Sequence, residues 1–223
     1  LNVTATHSAL QLLRAGHAHD LLGMAYVEAK RWIWGGCSNS SLAERSSDLL
    51  LVYVRDWLQA TANGTKRYQW SGDFFASYPL VATWKMLQDN QWNFKGWSPA
   101  ELRSFPRIAL ESASPWNLMV NNQAFARACG TALAVQLFAD DWEPGVVATW
   151  ESYLGQLWAL FQASKDTNEQ GLAYNGIWLM HAFLLAEITV DSHPERMQLL
   201  LDSPIVYKLY RRFVQQVPPS GVM

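Results

Sequence analysis

The feature that most restricts this chain is the spacing of its apolar residues. Across 143–162, Val146, Trp150, Tyr153, Leu154, Leu157, Trp158 and Phe161 recur at intervals of three and four, one stripe on a helix of 3.6 residues per turn. Residues 42–61 do the same with Leu42, Leu49, Leu50, Tyr53 and Trp57. Similar spacing predicts helices at about 7–33, 73–90, 99–111, 121–139, 171–188, 194–201 and 203–216, and no stretch alternates as a strand would.

Start and stop signals punctuate these stripes. Ser41 with Glu44, and Ser98 with Glu101, read as capping boxes, the second with Pro99 at the first helical position. Ser203 before Pro204 repeats the device, and Gly35-Gly36 ends the first helix. Connections rich in Gly, Ser, Asn, Pro and Trp, such as 68–72 and 92–97, are short enough to fold successive helices into antiparallel hairpins. The predicted fold is therefore all-α. Short helices, several apolar on more than one face, favour hairpins forming an α/α toroid over a simple bundle. No fixed-period repeat is visible in the residues themselves. The nine predicted helices are too few for six hairpins, so residues 1–223 read as one toroid-like domain. It is either an incomplete ring or one piece of a longer chain, in which case another chain or segment would complete it.

Composition narrows the classes of function. The chain has 223 residues, half of them hydrophobic, and so can bury a sizeable core. A net charge of −2 argues against nucleic acid, and no apolar run is long enough to span a bilayer. Twelve Trp is a high number; they fill the core or line a cleft where sugars stack. Asn2, Asn39 and Asn63 each open an Asn-X-Ser/Thr sequon, the acceptor for N-glycosylation in secreted proteins. The chain opens at Leu1 without a charged-then-apolar leader, as a mature or trimmed secreted product would. The expected location is extracellular. There Cys37 and Cys129, the only cysteines, would form one disulfide, unless Cys129 is a small buried hydrophobe.

Motif searches exclude more than they admit. HExxH, Walker, GxGxxG and GxSxG patterns are missing, and nothing in the residues requires a metal or organic cofactor. His17 and His19, two apart on a continuous helix, would face different sides and join His7 on a polar face. His181 falls within an apolar helix, the usual setting of a hydrogen-bonded core histidine. Asp140, Asp141 and Glu143, with Asp166 and Glu169, are loop carboxylates that a glycoside hydrolase would pair and that helix caps also use. The richest stretch is Trp116 to Phe125, in which Asn121 and Asn122 open an apolar helix. It is followed by Gln170, Leu172, Ala173, Tyr174, Asn175 and Ile177. One Asn suffices for a cap, which leaves the second for other work.

The order of Asn121-Asn122-Gln123-Ala124-Phe125, an intervening amphipathic helix and then Leu172-Ala173-Tyr174 resembles the alginate lyase family of α/α-toroid enzymes, over roughly residues 98–190. Ser71-Gly72-Asp73 and the apolar helix after it are compatible with that fold. The resemblance implies β-elimination on a uronic-acid-containing glycan, in which a substrate carboxylate is neutralised while a base takes the neighbouring proton and an acid protonates the leaving oxygen. Asn122 matches the family's neutralising Asn. Gln123 stands where the family has His, Ile177 where it has its acid/base Tyr, and Gln170 where it has Arg. A rewired lyase would use Asn122 on the carboxylate, Tyr174 as base and acid, and Gln123 to orient substrate. Trp116, Asn121, Gln170, Asn175 and His181 would line the binding cleft. The alternative is a lyase-like protein that has lost catalysis and binds a glycan or a protein through that cleft.

Overall fold

The computed structural model describes residues 3–15, 17–64, 75–112, 118–164, 166–167 and 172–216. About 80% of them are helical and none forms a strand. The helices are α1 (Val3–Arg14), α2 (Ala18–Trp34), α3 (Ser40–Ala62), α4 (Ser77–Asp89) and α5 (Pro99–Ser112). They continue with α6 (Asn122–Phe138), α7 (Pro144–Ala163), α8 (Leu172–Ile188), α9 (Glu195–Leu201) and α10 (Pro204–Gln216). A 3-10 turn, Ala139–Asp141, extends α6.

Most ends follow the local chemistry of the sequence. At α5, Ser98 Oγ accepts from Glu101 N–H at 3.2 Å while Glu101 Oε2 accepts from Ser98 N–H at 2.6 Å, a reciprocal box behind Pro99. Arg55 of α3 adds a 2.6 Å ion pair to the same carboxylate. Burial works against the charge of Glu101, but Arg55 and Ser98 outweigh it and hold the carboxyl below its usual range. Helix α3 starts before the Ser41–Glu44 pair, because Asn39 caps it by accepting from Ser41 N–H. The stretch expected as one helix at 7–33 is two: Ala15 and His17 N–H groups bond back to Gln11 and Leu12 carbonyls, closing α1 before α2 begins.

Alternate helices form a row. Tyr26 of α2 meets Tyr78 of α4 at 5.7 Å, and Trp32 meets Trp92 just past α4 at 5.9 Å. Phe125 of α6 meets Trp178 of α8 at 5.5 Å, and the Cys129 thiol donates to the His181 carbonyl at 3.3 Å. Residue numbers rise together on both partners, so the paired helices run in the same direction. Between them α4 lies along α6, with Ser77 against Gly130, and Trp84 stacked at 3.9 Å on Phe105, which in turn meets Phe138 at 6.0 Å. Four of these contacts, Tyr26–Tyr78, Ser77–Gly130, Phe125–Trp178 and Cys129–His181, join residues 52 or 53 positions apart. The row α2–α4–α6–α8 thus has a constant structural step that the residues do not advertise. Helices α3, α5 and α7 pack behind it as a second row, α1 rests on α2 and α3, and α9 and α10 rest on α8.

The apolar interior is two clusters that share α6 and, through Trp150, α7. One gathers residues from α1 to α5 with Leu133, Ala134 and Phe138 of α6 and Trp150 of α7; the other gathers α6 to α10 around Phe125, Trp158 and Trp178. Helix α6 is buried on nearly every side, which its small residues Ala124, Ala126, Ala128, Gly130, Ala132 and Ala134 permit by letting neighbours approach. Of the ten Trp among the described residues, seven are buried and serve as core. Trp92 and Trp142 are half-buried, and Trp34 is 77% exposed at the end of α2 with Lys30 over its ring.

Candidate functional site

Because α6 and α8 run side by side in one direction, their N-terminal ends are neighbours. That brings Asn121, Asn122 and Gln123 to the same end of the row as Tyr174 and Asn175. Trp116, Gln170 and Asn2 lie outside the described residues, as does Glu169.

Most of the polar groups gathered there serve the fold. Asn121 adopts an extended backbone and its Oδ1 accepts from Ala124 N–H at 2.8 Å, capping α6. Asn122 is buried at the first helical position. Asn175 is buried on α8, and its Oδ1 accepts from the Thr167 hydroxyl at 2.5 Å. Gln123 is half-buried. Tyr174 differs from all of them: it is 56% exposed. Ile177, one turn on, is half-buried.

His181 lies two turns beyond Tyr174 and is buried. Its Nδ1 is 2.8 Å from the Ile177 carbonyl, which only accepts, so the proton sits on Nδ1. Its ring stacks on Phe75 at 5.8 Å. Burial pushes its pKa below the usual value and the carbonyl offsets this only in part, so the ring is neutral near pH 7. The role is that of a hydrogen-bonded core histidine.

The cysteines are both free. Cys37 is half-buried and donates to Asn90 Oδ1 at 3.4 Å, while Cys129 is fully buried against the His181 carbonyl. The disulfide that an even pair allows is not formed, and burial pushes the Cys129 thiol well above its usual pKa. Among the loop carboxylates, Asp166 pairs with Lys208 and, at 3.7 Å, with Arg212; these hold it below its usual range. Asp140, Asp141 and Glu143 are exposed. Asn39 and Asn63 are exposed at opposite ends of α3.

Two groupings escaped the sequence reading. The break between α1 and α2 places His17 before α2, where its Nδ1 is 3.1 Å from Asp20 Oδ2, while His19 Nε2 is 3.4 Å from Oδ1. The two imidazoles therefore share one carboxylate, contrary to the different faces expected of a continuous helix. Their potential ligand atoms lie within 4.8 Å of one another. The second grouping surrounds a cavity of about 600 Å³ lined by residues of α6, α7, α8 and α9. Neither has a local signature, since both depend on how helices end and meet.

Comparison with known proteins finds no matching family model, no matching curated protein and no matching solved structure.

Proposed function

We propose that this chain is a secreted glycan-binding protein on an α/α-toroid-like scaffold, lyase-like in layout and without lyase catalysis. Two rows of helices with a constant step of 52 or 53 residues support an arc of such a ring. Six units at that step would need roughly 310 residues, more than the 223 here, so a further chain or segment would close it. The observation that carries the non-catalytic reading is the use of the side chains the resemblance assigns to chemistry. Asn121 caps a helix, Asn122 is buried, Asn175 holds Thr167, and His181 is neutral and packed. What remains for a ligand is an exposed aromatic, Tyr174, beside two helix N-termini that point the same way. Those ends carry positive partial charge and favour the carboxylates of an acidic polysaccharide, while the Tyr174 ring offers a face to a sugar. The exposed sequons Asn39 and Asn63 support passage through the secretory route.

A second reading, β-elimination with Tyr174 as base and acid, is favoured by the exposure of that phenol at the head of α8. One experiment separates the two. Purified protein is incubated with alginate, pectate and a glycosaminoglycan, following binding by calorimetry and the ultraviolet absorbance of unsaturated uronate. Binding with flat absorbance, weakened by Tyr174→Ala and kept by Tyr174→Phe, is the expected result. Rising absorbance that Tyr174→Phe abolishes would establish elimination, and absence of binding to every polymer would remove both readings.

A further inference from the structure

The cavity of about 600 Å³ lies between α6, α7, α8 and α9, far from Asn122 and Tyr174. Along α6 alone, Asn122 and Ala132 are separated by about 15 Å at 1.5 Å per residue. Val135, Leu154 and Ile188 give it apolar walls, and Arg196 of α9 lines it too. Arg196 is only 6% exposed. Its guanidinium has no hydrogen bond or ion pair among the described residues; its side-chain contact is the Trp158 ring, 5.4 Å away. The neighbouring acid, Glu195, is turned to His193 Nδ1 at 3.2 Å. Burial lowers the pKa of Arg196, partly offset by the charge of Glu195.

A guanidinium carries five N–H donors in a planar fork, and buried donors are ordinarily satisfied. Stacking on an indole satisfies the face of the cation and leaves its edge donors, which keep some solvent access, open to a partner. The cavity is where their acceptor would sit. The fork fits two oxygens of a carboxylate or a phosphate, and the surroundings choose between them. Exposed Glu151 and Asp191 also line the cavity, so a second negative charge on the ligand would be repelled. The volume is in the range that holds small molecules with an apolar body.

We propose that this cavity binds a small organic monocarboxylate, its carboxylate paired with Arg196 and its apolar body against Val135, Leu154 and Ile188. The site is independent of the glycan reading and of the α6–α8 end that carries it. The test is calorimetric titration of the whole chain at neutral pH with 4-phenylbutanoate, its amide 4-phenylbutanamide and phenyl phosphate. The carboxylate should bind at least tenfold more tightly than either of the others. Arg196→Gln should lose at least tenfold in affinity and Arg196→Lys should recover part of it. Gln136→Trp, at an exposed α6 position on the cavity lining, should block binding with the helical circular dichroism unchanged. If Arg196→Gln does not fold, the amide comparison and Gln136→Trp decide. Equal affinity for carboxylate and amide, tighter binding of phenyl phosphate, or no carboxylate binding at millimolar concentration would overturn the proposal.

Discussion

Substituting Gly130 by Ala tests the contact that joins the two halves of the row. A Cβ at Gly130 would press on Ser77 Oγ and stand 2.6 Å from Ser77 Cβ and 2.8 Å from its carbonyl carbon. Carbon atoms in contact prefer about 3.5–4.0 Å, so the shortfall is roughly 1 Å. One of the obstacles is backbone, so a side-chain rotation cannot relieve it and α4 must move away from α6. Overpacking of this kind costs about 1–3 kcal/mol. Alanine returns up to about 1 kcal/mol through its better helix propensity. The expected net loss is about 1–2 kcal/mol, a fall of about 2–8 °C in Tm for a domain of this size. Urea unfolding followed by circular dichroism should show a lower midpoint at an unchanged slope. Adding Ser77→Gly removes Oγ and Cβ but leaves the carbonyl carbon, so the double variant should show favourable coupling and incomplete rescue. A Gly130→Ala protein as stable as the parent would refute the close approach of α4 to α6.

Other expectations are as direct. Asn121→Ala should cost about 1 kcal/mol in stability and Asn121→Asp only a few tenths, since either oxygen can accept from Ala124 N–H; equal losses in chemical denaturation would exclude the cap. A thiol reagent should label Cys37 in the native protein and Cys129 only after unfolding, so mass spectrometry should find one modified site before denaturant and two after. The folded pKa of His181 lies below 6.5, so its contribution is complete above that pH and is lost as pH falls through the folded value. His181→Phe should therefore flatten the acid side of a stability–pH curve, and an unchanged acid limb would contradict the burial argument.

The sequence was informative where the physics is local. The stripe of α7, the box at Ser98–Glu101 and the cap at Ser203–Pro204 involve residues within one or two turns, and each is where periodicity or capping chemistry put it. Errors came where two local signals competed. Asn39 outcompeted Ser41 as a cap, and the 7–33 stripe concealed a break between two helices, which in turn reversed the expected relation of His17 to His19. The candidate site was half legible. That Asn121 or Asn122 would cap α6 followed from their position, but the burial of Asn175 by Thr167 did not, because it depends on a loop folding back. Arg196 carries no local signal, because its packing against Trp158, 38 positions earlier, arises only in the fold.

Helix α6 belongs to both apolar clusters, and this bears on how the molecule comes apart. Both half-cores draw buried residues from it, and α7 bridges them too through Trp150, so the two halves are thermodynamically coupled through shared helices and not through a conventional interface. Fraying from α1 or from α10 removes one end of the row and leaves the shared helices in place. Disturbing α6 opens both halves at once. Amide hydrogens of α6 should then exchange last and only through global opening, making this helix the slowest clock in the protein, while the terminal helices keep faster time of their own.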